Sequence, residues 1–592
     1  MRPDASAQPP GPLRLRDALW LAALAATVAA AAHVAWYVAR VFVFDTITGA
    51  ARELPWWSPL SYLGSFLLLA LPLLLLGAWV PILRSPRVLA AFFATIGSFA
   101  IALHLPAVHP AAMFALSLGV GVQAGRWLAR DPVSGMRATR RVTLALGVGL
   151  FLAGIPGAIV YRIQASRAGA ALPPPRPGAP NVILLILDTV RAANLSLYGY
   201  SRPTTPVLES LGTAGVVFES AIAPAPWTAP SHATMLTGQY PFFTGIGYRQ
   251  PMDDSLRTIS EVFQASGYAT AAFMGNALYA GRTTGFTRGF GRFDDFPRSP
   301  WQALWSSTLP QMQVSNLIID ALRSREWWRL RAALPRAEFR INKVNQSDRY
   351  VASELVDNFL EWQDDTDGRP FFTVINFFDA HAPYESPLVE RFNDGETPLD
   401  RYDGAIAYAD SMIGRLLDGL RERGELEQTI LLVTSDHGEQ FGEHGLRGHG
   451  NSLYLELLHV PLLIHAPGRL PGGLRLEEVV SLRDIPATLL DLAGGDDPAI
   501  GGTSLAPLWH EGATASISPA IAEAVQPPNQ DSDWPTSFGP IKAVITEQFH
   551  YIRRGDGLEQ VWSRGGDTTG RGTATETVEG LRVVAESRPD ER

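Results

Sequence analysis

Residues 181–188 read Asn-Val-Ile-Leu-Leu-Ile-Leu-Asp, a nearly continuous apolar run preceded by Pro180 and closed by an acid. A strand buried on both faces of a parallel sheet has this composition, because neither set of alternating side chains meets water. Residues 370–378 (Pro-Phe-Phe-Thr-Val-Ile-Asn-Phe-Phe) and 429–434 (Thr-Ile-Leu-Leu-Val-Thr) repeat the pattern. Each run leads into residues that can hold a metal or move a proton: Asp188, then Asp379 with His381, then Asp436 with His437. From Tyr402 to Glu422 apolar residues recur at helical spacing, at Ile406, Met412, Ile413, Leu416, Leu417 and Leu420. Strands alternating with helices predict an α/β domain with a mostly parallel central sheet. In such sheets the site lies beyond the carboxyl ends of the strands, where these acids and histidines fall.

Ahead of this domain the chain is of another kind. Of its 592 residues 46% are hydrophobic and 18% charged, and the apolar excess is concentrated in residues 18–161. A membrane-crossing helix needs about 20 mainly apolar residues. Five stretches meet that length, from about Ala18 to Val38, Leu60 to Ile82, Val88 to Leu105, Pro110 to Leu128 and Val142 to Tyr161. They predict an all-α transmembrane bundle of about five helices, with a re-entrant pair as the alternative for the third and fourth. Arg2, Arg14, Arg16, Arg84, Arg87, Arg126, Arg130, Arg137, Arg140 and Arg141 mark three segments as cytoplasmic. An odd number of crossings then leaves everything after Tyr161 outside: a multi-pass inner or plasma membrane protein with an extracytoplasmic domain. The expected divisions are a cytoplasmic N-terminus (1–17), the bundle (18–161), a Pro-rich linker (162–180), the α/β domain (181–510), a small C-terminal β subdomain (511–574) and a polar tail (575–592).

The chain has no Cys, which excludes disulfides, thiolate metal sites and any residue made by oxidising a thiol. A net charge of −9, with no Lys/Arg block in the polar half, argues against nucleic acid as a partner. The expected partners are the lipid bilayer and a membrane lipid or envelope glycan substrate. Oligomeric state is left open.

Four fragments in order, ILLILDTVR (183–191), APWTAPSHATMLTGQYP (225–241), NFFDAHAPY (376–384) and VTSDHGEQFGEHGLRGHG (433–450), resemble the sulfatase branch of the alkaline phosphatase superfamily. The resemblance covers about residues 181–510 and implies an alkaline phosphatase-like fold, one divalent metal and a hydroxyl-type nucleophile. Asp188 matches the first metal carboxylate, Asp436 and His437 the second pair of ligands, His381 the histidine of an Asp-x-His-x-Pro-Tyr motif, and His449 a later anion-contacting Lys or His. Thr228 stands where sulfatases carry a Cys or Ser that becomes formylglycine, a conversion Thr cannot undergo. His232 replaces an Arg, and Thr189 a second Asp.

The implied metal ligands are thus Asp188, Thr228, Asp436 and His437, a donor set that suits Mn, Mg, Ca or Zn. The implied catalytic residues are Thr228, as an activated nucleophile, with His232, His381 and His449. His444 is an even choice between site and surface. A transmembrane region joined to such a domain is similar to the layout of lipoteichoic acid synthases and phosphoethanolamine transferases. The first expectation is therefore a phosphotransferase or phosphodiesterase acting on lipid or envelope glycan head groups. The alternative is a sulfuric-ester hydrolase, and the third reading a catalytically silent binder of anionic glycan or lipid. Residues 280–350, with Trp301, Trp305, Trp327 and Trp328, are expected to shape specificity.

Overall fold

The computed structural model describes residues 15–47, 54–77, 79–103, 108–170, 172–248, 250–295, 350–510, 519–525, 533–564 and 575–586. Most of the stretch expected to set specificity, including its four Trp residues, lies outside them. The chain divides into two compact units, one holding the N-terminal helices and one the α/β domain.

The first unit contains α1 (Leu15–Phe42), α2 (Leu54–Leu76), α3 (Pro86–Ala102), α4 (Pro110–Arg130) and most of α5 (Pro132–Ala170). Each of the five expected crossings overlaps one of these helices, the second and third running past the ends of α2 at Leu76 and α3 at Ala102. Among the described residues, however, only Leu15–Phe42 and Trp57–Leu76 are long and apolar enough to cross a membrane. The expectation of five is corrected to a helical region with two candidate membrane helices. α3 has 17 residues, short of a full crossing; α4 ends, and α5 begins, in arginines. Asp17 and Arg140 pair at 2.6 Å between α1 and α5.

The second unit is built on a nine-stranded sheet. Its strands are β1 (Asn181–Leu187), β2 (Val216–Ile222), β3 (Ala269–Met274), β4 (Arg292–Asp294), β5 (Phe371–Phe377), β6 (Thr429–Thr434), β9 (His459–Val460), β10 (Leu462–His465) and β11 (Leu474–Ser481). Their order is β11-β2-β10-β6-β1-β5-β3-β4, with β9 also on β2. The pairs β6-β1, β1-β5, β5-β3, β3-β4 and β2-β11 are parallel; β10 runs antiparallel to β6 and β2, and β9 to β2. The three runs read from sequence are adjacent central strands. Along β1 the side chains alternate between two cores: Val182, Leu184 and Ile186 enter one, Ile183, Leu185 and Leu187 the other. Every second residue thus faces a separate layer, which is why the run has no polar side.

A hairpin, β7 (Gln440–Phe441) with β8 (Arg447–Gly448), follows β6. A second, antiparallel sheet of β12 (Ala520–Ala524), β13 (Ile541–Ile545), β14 (Phe549–Arg553) and β15 (Glu559–Ser563) closes the unit. Two expectations at the boundaries are revised. The Pro-rich linker does not begin at 162, because α5 continues to Ala170. The Pro173 carbonyl beyond it accepts a hydrogen bond from Arg369 (2.9 Å), since an extended Pro-rich segment leaves its carbonyls free. Residues 575–586 are not a polar tail but a helix whose Leu581 and Ala585 are buried with Val544 and Tyr551.

Candidate active site

The carboxyl ends of β1 and β6 deliver the acids. Asp188 directly follows β1, and Asp436 and His437 follow β6 after the short link of Ser435; all three are fully buried. One ligand atom from each lies within 4.8 Å of the others. Each carboxylate has one oxygen satisfied and one not. Asp436 Oδ1 accepts from the amides of Thr189 (3.2 Å) and His437 (2.9 Å), and Asp188 Oδ2 from the side-chain amides of Asn276 (3.1 Å) and Asn376 (3.4 Å). Asp188 Oδ1 and Asp436 Oδ2 are buried without a hydrogen-bond partner. Orphaned buried carboxylate oxygens are costly unless a cation takes them, and the donor set of two oxygens and an imidazole suits a divalent ion. Burial, and for Asp188 the neighbouring Asp436, push both carboxyls well above the ordinary range.

His437 is prepared for the same role. With its Nδ1–H donating to the Gly438 carbonyl (2.9 Å), Nε2 is left to face Asp436 Oδ2 at 3.5 Å and Thr228 Oγ1 at 3.4 Å. Burial holds it well below the ordinary histidine pKa, and so neutral, as a ligand must be.

Thr228 opens helix α6 (Thr228–Thr237), all ten of whose residues are buried. Pro230 is tolerated because it falls in the first turn. The helix ends at Gly238, with φ of +69° and a position where a Cβ would stand 1.9 Å from the Gly501 carbonyl oxygen. Ser231 Oγ donates to the Asp436 carbonyl (2.6 Å), tying the nucleophile's helix to the metal-binding loop. Asn276 Nδ2 donates to Thr228 Oγ1 as well (3.2 Å). Thr228 also lies at the helix end whose free amides favour an anion.

The histidines complete the surround. His232 Nδ1 donates to the Thr228 carbonyl (3.0 Å) and lies 3.6 Å from Asp436 Oδ2; burial lowers its pKa to about 4. His449 packs between His437 and His381, with ring centroids at 4.6 and 5.0 Å. Its Nδ1 meets Glu439 Oε2 at 3.2 Å. Burial opposes its charge, but Glu439 and then Asp188 outweigh that and raise its pKa. His381 stacks on Phe378 at 4.3 Å. Arg191 Nη1 reaches the Glu439 carbonyl (3.1 Å) and the Glu443 carboxylate (2.7 Å), bracing the loop that holds Glu439.

All seven residues singled out from sequence, Asp188, Thr228, His232, His381, Asp436, His437 and His449, thus converge. Asp379 does not join the cluster: its Oδ2 accepts from the Ala352 amide (3.0 Å) at the start of a helix. His444 stacks on Tyr454 (3.8 Å) and faces Glu456 (3.4 Å), which resolves its even choice toward surface structure. Sequence reading missed Asn276, Asn376 and Glu439. Asn376 was visible as the one amide in an otherwise apolar strand, and Asn276 ends a strand, β3, too rich in Ala to stand out.

The small sheet and the link between its first two strands fasten the loops of the site by main-chain bonds: Glu523 N donates to the Pro224 carbonyl (2.9 Å) and Thr536 N to the Asn451 carbonyl (3.1 Å), while Gly450 N ties the two site loops together at the Pro226 carbonyl (2.9 Å).

A parallel-stranded α/β domain with two acids and a His beyond its strand ends, facing a hydroxyl on a helix N-terminus, defines a metal-assisted hydrolase. The chain belongs to the Sulfatase family, which matches residues 180–495. It is 28% identical to an arylsulfatase of Clostridium perfringens, over 56% of this chain and 79% of that one. It is 26% identical to an ulvan-active sulfatase of Formosa agariphila (64% and 74%), and 28% to arylsulfatase K of Bos taurus (57% and 66%). Among solved structures, a phosphonate monoester hydrolase of Agrobacterium radiobacter shares the fold at a TM-score of 0.52 and 20% identity, over 69% of this chain and 94% of that one. The protein is accordingly a sulfatase-family hydrolase of the alkaline phosphatase superfamily, a family that depends on a divalent metal.

Proposed function

We propose that this protein is a metal-dependent hydrolase of anionic esters in which Thr228 is the nucleophile. The observation that carries the reading is the pair of unpartnered buried oxygens, Asp188 Oδ1 and Asp436 Oδ2, beside Thr228 Oγ1 and His437 Nε2. Asp188, Asp436 and His437, with Thr228 as fourth ligand, would hold one divalent ion. Bound there, such an ion would supply Lewis acidity that lowers the hydroxyl pKa. Thr228 passes its proton to water, and its oxygen attacks sulfur or phosphorus while the bond to the leaving oxygen breaks. Protonated His449 gives the leaving alcohol its proton. His232 and His381 flank the non-bridging oxygens. Water then releases the acid from Thr228 and restores the hydroxyl.

The names of the relatives support sulfuric esters as the substrate class. Thr228 itself favours the second reading, phosphodiesters, whether hydrolysed or transferred. A formylglycine hydrate expels sulfate by collapsing to an aldehyde, and an unmodified Thr has no such route. Matched aryl sulfate and phosphodiester substrates, compared with wild type, Thr228→Ala and Thr228→Ser, separate the two. Turnover should vanish in Thr228→Ala and survive in part in Thr228→Ser. The faster ester names the class, and turnover persisting in Thr228→Ala overturns the nucleophile.

We further propose that the helical region anchors the protein in a membrane with the hydrolase domain outside, acting on a lipid or envelope glycan head group in the manner of a lipoteichoic acid synthase layout. The arginine distribution supports that orientation; two candidate membrane helices alone would return the chain to its starting side, so the reading calls for a further crossing among α3, α4 and α5. Labelling single Cys at Ser134 and Ala170 in intact cells tests it. Ser134→Cys modified from outside, or Ala170→Cys protected, refutes it.

A further inference from the structure

The turn that carries Asp188 away from β1 is gripped by a residue outside the ligand set. Tyr402 lies in the helix Pro398–Glu422 and is fully buried. Its hydroxyl donates to the Thr189 carbonyl (2.7 Å) and accepts from the Arg191 amide (3.0 Å). One side-chain oxygen thus joins two main-chain groups of the turn, one as donor and one as acceptor.

The turn has reason to leave this shape if released. Thr189 is β-branched and stands at φ of +62°, a region such residues avoid. That conformation aims the Thr189 amide at Asp436 Oδ1 (3.2 Å), while Oδ2 of the same carboxylate keeps no hydrogen-bond partner and is left for the ion. A Thr189 relaxed to negative φ would withdraw the amide and free Asp436 to rotate. Thr189 Oγ1 on the Ala380 carbonyl (3.0 Å) and the Val190 amide on Ser435 Oγ (2.9 Å) also hold the turn, but neither engages the Thr189 carbonyl or the Arg191 amide.

Tyr402 is itself fixed. Its ring packs against Tyr384 and Phe441, with centroids at 5.6 and 4.9 Å. Its neighbour Asp403 accepts from Asn194 (2.7 Å) and Tyr200 (2.8 Å), so the helix is pinned to the chain just beyond the turn. A hydroxyl on a locked ring can keep carboxylates in place before an ion arrives, which lowers the cost of binding it.

We propose that Tyr402 is a positioning residue, whose hydroxyl holds the Thr189 turn in the geometry that presents Asp188 and Asp436 to the metal and thereby sets the affinity of the site for its ion. This inference rests on the metal-site reading above and names what tunes that site.

The test uses the full chain in detergent, stripped of metal and titrated by calorimetry with Mn and, in parallel, with Zn. Tyr402→Phe keeps the ring and removes the hydroxyl, and affinity should fall about ten- to a hundredfold. Tyr408→Phe removes another buried hydroxyl from the same helix, one bonded to Ser353, and should leave affinity within about twofold of wild type. Glycine adopts positive φ without strain, so adding Thr189→Gly to Tyr402→Phe should recover at least about threefold of the loss. Melts in chelator check that each variant is folded. Should Tyr402→Phe alone not fold, the double variant is compared with Thr189→Gly and should bind at least about threefold more weakly. Unchanged affinity in Tyr402→Phe, equal losses in Tyr402→Phe and Tyr408→Phe, or no recovery with Thr189→Gly overturns the proposal. Failure of the metal-site reading shows separately, as wild type that takes up neither ion.

Discussion

The floor of the site and its wall are built on opposite principles. On the floor, Asp188, Asp436 and His437 are fully buried, and each carboxylate keeps one oxygen without a hydrogen-bond partner. On the wall, His449 is 23% exposed and paired with Glu439. The floor stores electrostatic repulsion that a cation relieves; the wall is balanced without one. Groups that bind a metal are thus kept dry and uncompensated, and a group that moves a proton is kept compensated and within reach of water.

The comparison breaks most visibly at Asp436. Asp436→Asn should abolish metal binding and lower turnover by at least about a thousandfold. In chelator the same change should stabilise the protein, raising Tm by about 2–4 °C, because it removes one of two repelling buried carboxylates. The sign with pH follows from the raised carboxyl pKa. A carboxyl held above its unfolded value contributes stability in acid that is lost as pH rises through the folded pKa. The advantage of Asp436→Asn in chelator should therefore grow between pH 5 and pH 8, as thermal melts at each pH will read, and added Mn or Zn should reverse it. A Tm equal to wild type at pH 8 in chelator would mean that the floor is not strained.

The wall is sharpened by Glu439→Gln. Losing the carboxylate lowers the His449 pKa, so the acid is depleted at lower pH. The alkaline limb of kcat/KM should move down by about one unit and the maximum fall by about ten- to a hundredfold, with metal content unchanged. A profile that drops without shifting would separate His449 from proton transfer.

Asn276 bridges floor and nucleophile, and Asn276→Ala should cost about tenfold in kcat with a smaller change in KM, measured at saturating metal. The smallest effect is expected at Thr189, a β-branched residue at φ of +62° whose amide serves Asp436 Oδ1. Thr189→Gly keeps that amide and relieves the strained backbone, while losing the Thr189 hydroxyl bond to Ala380 and adding glycine's unfolded freedom. Denaturant unfolding should place it within about 1 kcal/mol of wild type, with activity retained.

Asp188, His381, Asp436 and His437 were legible because they follow strands buried on both faces, and such runs cannot be mistaken for an amphipathic surface; Thr228, His232 and His449, on a helix and a loop, were legible only through the family resemblance. β3 escaped because Ala269-Thr-Ala-Ala-Phe-Met274 is small and mixed, and Asn276 went with it. Glu439 was hidden for another reason: its value lies in a partner ten residues on, and an acid in a loop full of acids carries no local mark. The last helix was read as tail since only Val578, Leu581, Val584 and Ala585 give it an apolar side, too few to stand out among charges. In the helical region composition alone identified helices, but arginines at their ends make length and hydropathy disagree about how many can cross.

The bonds from Glu523 N to the Pro224 carbonyl and from Thr536 N to the Asn451 carbonyl join backbone to backbone. Any residue but proline can make them, and both donors lie beyond the residues that the family match covers. The hold on the loops that carry Thr228 and His449 can therefore outlast a change of side chain at either anchor point.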